Sequence, residues 1–133
     1  MIATNNPYKT YEQNSVTTAS AGELTIMLYN GCLKFINKAK QAIRVNSVAE
    51  RNTNIQKAQN IIRELMVTLD MEYEVSKNMM ALYEFIYQSL LDANIKNDIK
   101  KLEEAEQIVI EFRDTWKQAI QLNRQQQHHG GLV

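Results

Sequence analysis

The chain has 133 residues, 15 basic and 15 acidic, a hydrophobic share of 44%, one Cys, one Pro and four Gly. That length fits one domain with a core that needs no staples. The balanced charge excludes the basic footprint of a nucleic-acid binder and the polybasic signal of a membrane-surface protein, and a single Cys excludes an internal disulfide. The longest apolar run, Met79–Tyr83, is far short of a membrane span, so no membrane insertion is expected. The first residues, Met1–Asn6, lack the basic and apolar regions of a secretion signal.

Residues 1–19 have no helical period and read as an extended N-terminal arm, with room for a short extra helix, carrying Tyr8, Tyr11 and Val16 among polar neighbours. Ser20 followed by Glu23 is a capping box ahead of an apolar run, in which each side chain can satisfy an amide of the other residue. It predicts a helix over Ala21–Val45. Leu24, Leu28, Gly31, Phe35, Ala39 and Ala42 make one stripe, and Tyr29, Cys32, Leu33, Ile36 and Ile43 a second beside it. Gly31, costly inside a helix, implies a close neighbour. After a turn at Val45–Val48, a second helix is predicted over Ala49–Asp70, with a narrow seam of Ile55, Ala58, Ile62, Leu65 and Leu69.

An acidic turn over Asp70–Glu74 leads to a third helix, Val75–Ala93. Its stripes are Val75, Met79, Leu82, Ile86, Leu90 and Ala93, and then Met80, Tyr83, Tyr87 and Leu91. Asn94–Asp98 reads as a turn with Asn97 and Asp98 as candidate N-caps. The fourth helix is predicted over Ile99–Gln125, with Leu102, Ala105, Val109, Phe112, Trp116 and Ala119 facing inward. Glu103, Glu104 and Glu106 read as a solvated face, and residues 126–133 as a frayed tail. Four helices joined by short turns give an all-α fold, an antiparallel four-helix bundle over residues 20–125.

The helical body holds no His, which argues against a di-iron site or a phosphotransfer bundle. His128 and His129 stand in the tail and read as inert. No zinc, dinucleotide or P-loop spacing occurs. No cofactor, metal or catalytic residue is expected, and the protein reads as a non-enzyme. Cys32 is read as a small core residue in preference to a reactive thiol. Helices one and three carry more apolar surface than one buried stripe needs. Two uses remain open: ordinary core, or a binding surface for which Tyr and Met are suited.

Tyr11–Phe35 resembles the N-terminal signature of the flagellar secretion chaperone family, the flagellin-specific export chaperones. The resemblance continues through Lys57–Leu65, Leu69-Asp70, Leu82-Tyr83, Ala93-Asn94, Asn97-Asp98 and Arg113–Trp116, in the family's order, covering about residues 8–120. Ala21 and Asn30 depart from the usual Pro and Asp, and Glu72–Val75 lacks a Gly pair found there in relatives. The resemblance implies a bundle of the bacterial cytosol that binds the C-terminal segment of flagellin, prevents its premature polymerisation and aids delivery to the flagellar type III export apparatus. A flagellin-binding assembly factor is a further implied partner.

On this reading the partner-binding residues are Leu24, Met27, Leu28, Tyr29 and Leu33 on helix one and Met80, Tyr83 and Tyr87 on helix three. Tyr8, Tyr11 and Val16 would form a displaceable cover. The competing reading is a structural bundle that homodimerises through its surplus apolar faces.

Overall fold

A computed structural model describes residues 20–132, with side chains described through Gln125. Four helices follow one another: α1 (Ala21–Arg44), α2 (Val48–Val67), α3 (Glu74–Lys96) and α4 (Ile99–Leu132). Each packs on the next, and α4 returns against α1 to close the ring. The turns are too short for anything but antiparallel neighbours. The expected fold is therefore the observed one.

The helix ends follow local chemistry. Ser20 accepts a hydrogen bond from the Glu23 amide at 3.1 Å, but the Glu23 carboxylate pairs with Arg124 of α4. The capping box thus has one local half, and its acid ties α1 to α4. Asn46, with φ 58°, closes α1: Ser47 N–H donates to the Ala42 carbonyl at 2.8 Å and Asn46 N–H to Ile43 at 3.1 Å. This is the double bond of a Schellman end, with Asn in the left-handed position that Gly usually takes. Ser47 then caps α2 through the Glu50 amide.

Asn97, with φ 54°, also ends α3 in the left-handed conformation, both its own N–H and that of Asp98 donating to the Ala93 carbonyl, and Asp98 caps α4 through the Lys100 amide at 2.9 Å. Asn94–Lys96, expected as turn, is helical, because nothing before the left-handed Asn97 stops α3. Arg51 donates to Asn94 at 2.9 Å and to Asn97 at 2.8 Å, joining both turns at this end of the bundle.

Two other boundaries differ from expectation. α2 stops at Val67 and not at Asp70. Thr68 Oγ1 donates to the Leu65 carbonyl at 2.7 Å, and Asp70 Oδ1 accepts from the Glu72 amide, so both side chains favour a turn. α4 runs on to Leu132, so the backbone of 126–132 is helix where a frayed tail was expected. The Gln-rich run 125–127 carries no helix-breaking residue.

The core is built from both stripes of α1 and one face of each other helix. Gly31 does meet a close neighbour: a Cβ there would stand 3.2 Å from Ile61 of α2. Gly22 has the same role toward α4. Trp116 Nε1 donates to its carbonyl at 3.1 Å, and a Cβ would stand 2.9 Å from Ile120. Glu106, expected on a solvated face, is mostly buried and pairs with the equally sheltered Lys40 at 3.0 Å, a further link between α1 and α4.

Candidate apolar docking surface

The outer groove between α3 and α4 has a mostly apolar lining. A cavity of about 230 Å³ is lined by Leu82, Ile108, Glu111, Phe112 and Thr115. Beside it on α3 stand Val75, 59% exposed, Leu82, 43%, and Phe85, 49%. Val75 and Leu82 are seven residues apart, so they lie on one helical row, and Phe85 continues it after three more. A soluble chain rarely keeps such a row without a use.

The groove floor is coupled to the centre of the bundle. Phe112 stacks on Tyr29 with ring centres 5.8 Å apart and lies tilted against Tyr83 at 5.1 Å. Beneath it the Tyr29 and Tyr83 hydroxyls share a hydrogen bond of 2.6 Å, the two residues being 0% and 1% exposed. Burial is the main cause that raises both phenol pKa values above the ordinary one. The hydrogen bond adds to the rise at Tyr29 and opposes it at Tyr83. The pair crosses from α1 to the diagonal helix α3 and fixes their relative height.

The proposed partner residues fall into separate places. Leu28, Tyr29, Leu33 and Tyr83 are buried in the core. Much of the surplus apolar surface of α1 is thus core, because this helix faces α2, α4 and the diagonal α3 together. Leu24, Met27, Met80 and Tyr87 are half-buried. Leu24 lies two turns before Gly31, on the side of α1 that meets α2. Tyr87 lies against α2, where Arg63 hydrogen-bonds its hydroxyl and stands 5.1 Å from its ring centre. Met80 precedes it by two turns on the same row. Tyr8, Tyr11 and Val16 lie outside the described residues.

Sequence reasoning missed the α3–α4 groove. It placed Val75 and Leu82 in one apolar stripe of the third helix, left them out of the partner-binding residues and passed over Phe85 and Ile108. The available signal was Phe85, a large apolar residue that fits neither stripe of its helix.

Among the described residues no cluster of His, Cys, Asp or Glu could hold a metal ion, and no helix is long and apolar enough to cross a membrane. Cys32 is fully buried, its Sγ 3.9 Å from the Ala58 carbonyl, and burial pushes its thiol pKa up to about 12. Alkylation of the native protein at neutral pH is therefore expected to be negligible and to appear only as the chain unfolds, which mass spectrometry along a urea series would check.

A family model described as flagellar protein FliS matches residues 4–123. The flagellar secretion chaperone FliS of Bacillus subtilis strain 168 is 54% identical over 132 residues, covering 99% of both chains. That of Escherichia coli K12 is 33% identical over 111 residues, covering 81% of this chain and 82% of its own. A solved structure titled a flagellar chaperone from bacteria shares the fold, with a TM-score of 0.72 at 18% identity, over 86% of this chain and 94% of that one. A four-helix bundle matched to that family model along nearly its whole length is what the residues from Tyr11 onward foreshadow: the chain belongs to the flagellar secretion chaperone family, a family of chaperones and not of enzymes.

Proposed function

We propose that this chain binds the C-terminal segment of flagellin in the bacterial cytosol, keeps it from polymerising and hands it to the flagellar type III export apparatus. The observation that carries the reading is the exposed row of Val75, Leu82 and Phe85 beside the Phe112 groove. An amphipathic helix laid along α3 and α4 would bury its own apolar row there, the usual helix-in-groove mode. A segment that orders on binding loses about 2–5 kcal/mol or more of the contact energy, so the contact must be extended. Leu24 and Met27 on one side of α2, and Met80 and Tyr87 on the other, offer further half-buried apolar contacts for a partner that wraps the bundle. A flagellin-binding assembly factor is a third partner on this reading.

The arm acts as a displaceable cover through Tyr8, Tyr11 and Val16. Deleting Met1–Ser15 is expected to tighten binding of a flagellin C-terminal peptide or to raise its on-rate, as measured by stopped-flow fluorescence. Unchanged binding with unchanged stability would contradict the cover.

A further inference from the structure

The zero net charge hides a strong internal segregation. Residues 21–67 hold seven basic side chains against three acidic ones, whereas 68–98 hold six acidic against two basic. On the α1–α2 face the excess is focused. The ammonium groups of Lys34, Lys38 and Lys57 stand 5.5, 5.8 and 5.4 Å from the centre of one ring, that of Phe35. The ring faces attract them weakly, and the three charges repel one another. Among the described residues no carboxylate lies within ion-pair distance of Lys34 or Lys38. Other lysines of the chain do find such partners: Lys40, Lys77 and Lys101 each meet a glutamate.

A groove adjoins the cluster. A cavity of about 420 Å³ between α1 and α2 is lined in part by Lys38, Lys57, Gln41, Thr53 and Val45, and also by Glu50. It combines two ammonium groups, amide and hydroxyl donors and a small apolar floor with the single carboxylate of Glu50, so the positive charge is in excess by one. Along α2, Glu50 and Glu64 stand seven residues before and after Lys57, on the same helical row. They bound the positive patch at both ends. A nucleic acid needs a basic track that continues with its phosphates, and this one ends within two turns on either side.

We propose that the Lys34–Lys38–Lys57 cluster and the adjoining α1–α2 groove form a second docking site, for a short acidic segment of a partner protein that carries two or three closely spaced carboxylates. The site goes beyond flagellin capture and lies on the opposite side of the bundle from the α3–α4 groove. Charge complementarity sets its preference and makes its affinity fall with added salt.

The test uses the full-length protein and fluorescein-labelled hexaglutamate, read by anisotropy, with amide chemical-shift mapping by NMR. The expected result is shifts centred on Lys34, Lys38, Lys57 and the groove, with an affinity that drops at least ten-fold in Lys34→Glu/Lys38→Glu. Lys100→Glu/Lys101→Glu makes the same change in net charge at the α4 N-terminus and is expected to leave the affinity within two-fold. Equal losses in both variants, or shifts spread over the protein, would overturn the proposal as general charge attraction. Tighter binding of a twelve-residue oligothymidylate than of hexaglutamate would overturn it in favour of nucleic acid. Salt-sensitive self-association by light scattering, with hexaglutamate failing to compete, would overturn it in favour of a second copy. Thermal melts confirm that each variant is folded. A flagellin C-terminal peptide titrated against the same variants reports separately on the α3–α4 groove, so one reading can fail while the other stands.

Discussion

Replacing Leu82 and Phe85 together by Glu is expected to weaken binding of a flagellin C-terminal peptide by at least about thirty-fold, because a well-packed apolar anchor contributes about 2 kcal/mol or more and 1.4 kcal/mol is a factor of ten. Both side chains are close to half exposed, so the fold should lose little, about 1 kcal/mol or less. The proper control is Val67→Glu with Met71→Glu. These residues are also exposed and apolar, yet they sit at the α2–α3 turn, away from the Phe112 groove. Isothermal titration calorimetry on the two double variants separates the cases. Equal loss in both would mean that overall hydrophobicity, and not this groove, holds the partner.

The second large effect concerns the Tyr29–Tyr83 bond. Tyr29→Phe leaves the Tyr83 hydroxyl buried without its partner and is expected to cost about 1–3 kcal/mol in urea denaturation. Removing both hydroxyls leaves nothing unpaired, so Tyr29→Phe/Tyr83→Phe should lie closer to the native protein than the sum of the single variants. Additive losses would show that the hydroxyls act independently.

The same bond sets an alkaline limit. In the unfolded chain these phenols ionise near pH 10, whereas burial holds them protonated in the fold. Their contribution is therefore complete below about pH 10 and is lost as pH rises past it, because only the unfolded state can release the protons. The double Phe variant should lose less stability between about pH 9 and 11 than the native protein does.

The sequence made the architecture legible because its signals are local. Ser20 and Asp98 are caps whose side chains act within a few positions, and Gly31 announced a close neighbour that proved to be Ile61; Asn97, read as a candidate N-cap, instead closes α3 in the left-handed conformation. Helix period also located most of the core. It failed where burial depends on how closely a helix packs on its neighbours. α1 packs extensively on both α2 and α4, so its two stripes are both core, and Leu28, Tyr29 and Leu33 are not surface. α3 has an open side toward solvent at its groove with α4, so Val75 and Leu82 are exposed despite a regular stripe. Long-range ion pairs were invisible for the same reason: nothing local marks Glu106 for Lys40 or Glu23 for Arg124.

The central claim is that this bundle grips flagellin's C-terminal segment as a one-to-one chaperone. Size-exclusion chromatography with light scattering, with and without that peptide, tests it most directly. The account predicts a monomer that forms a 1:1 complex. An obligate dimer that leaves the peptide unbound would contradict it and would assign the apolar row of Val75, Leu82 and Phe85 to self-association.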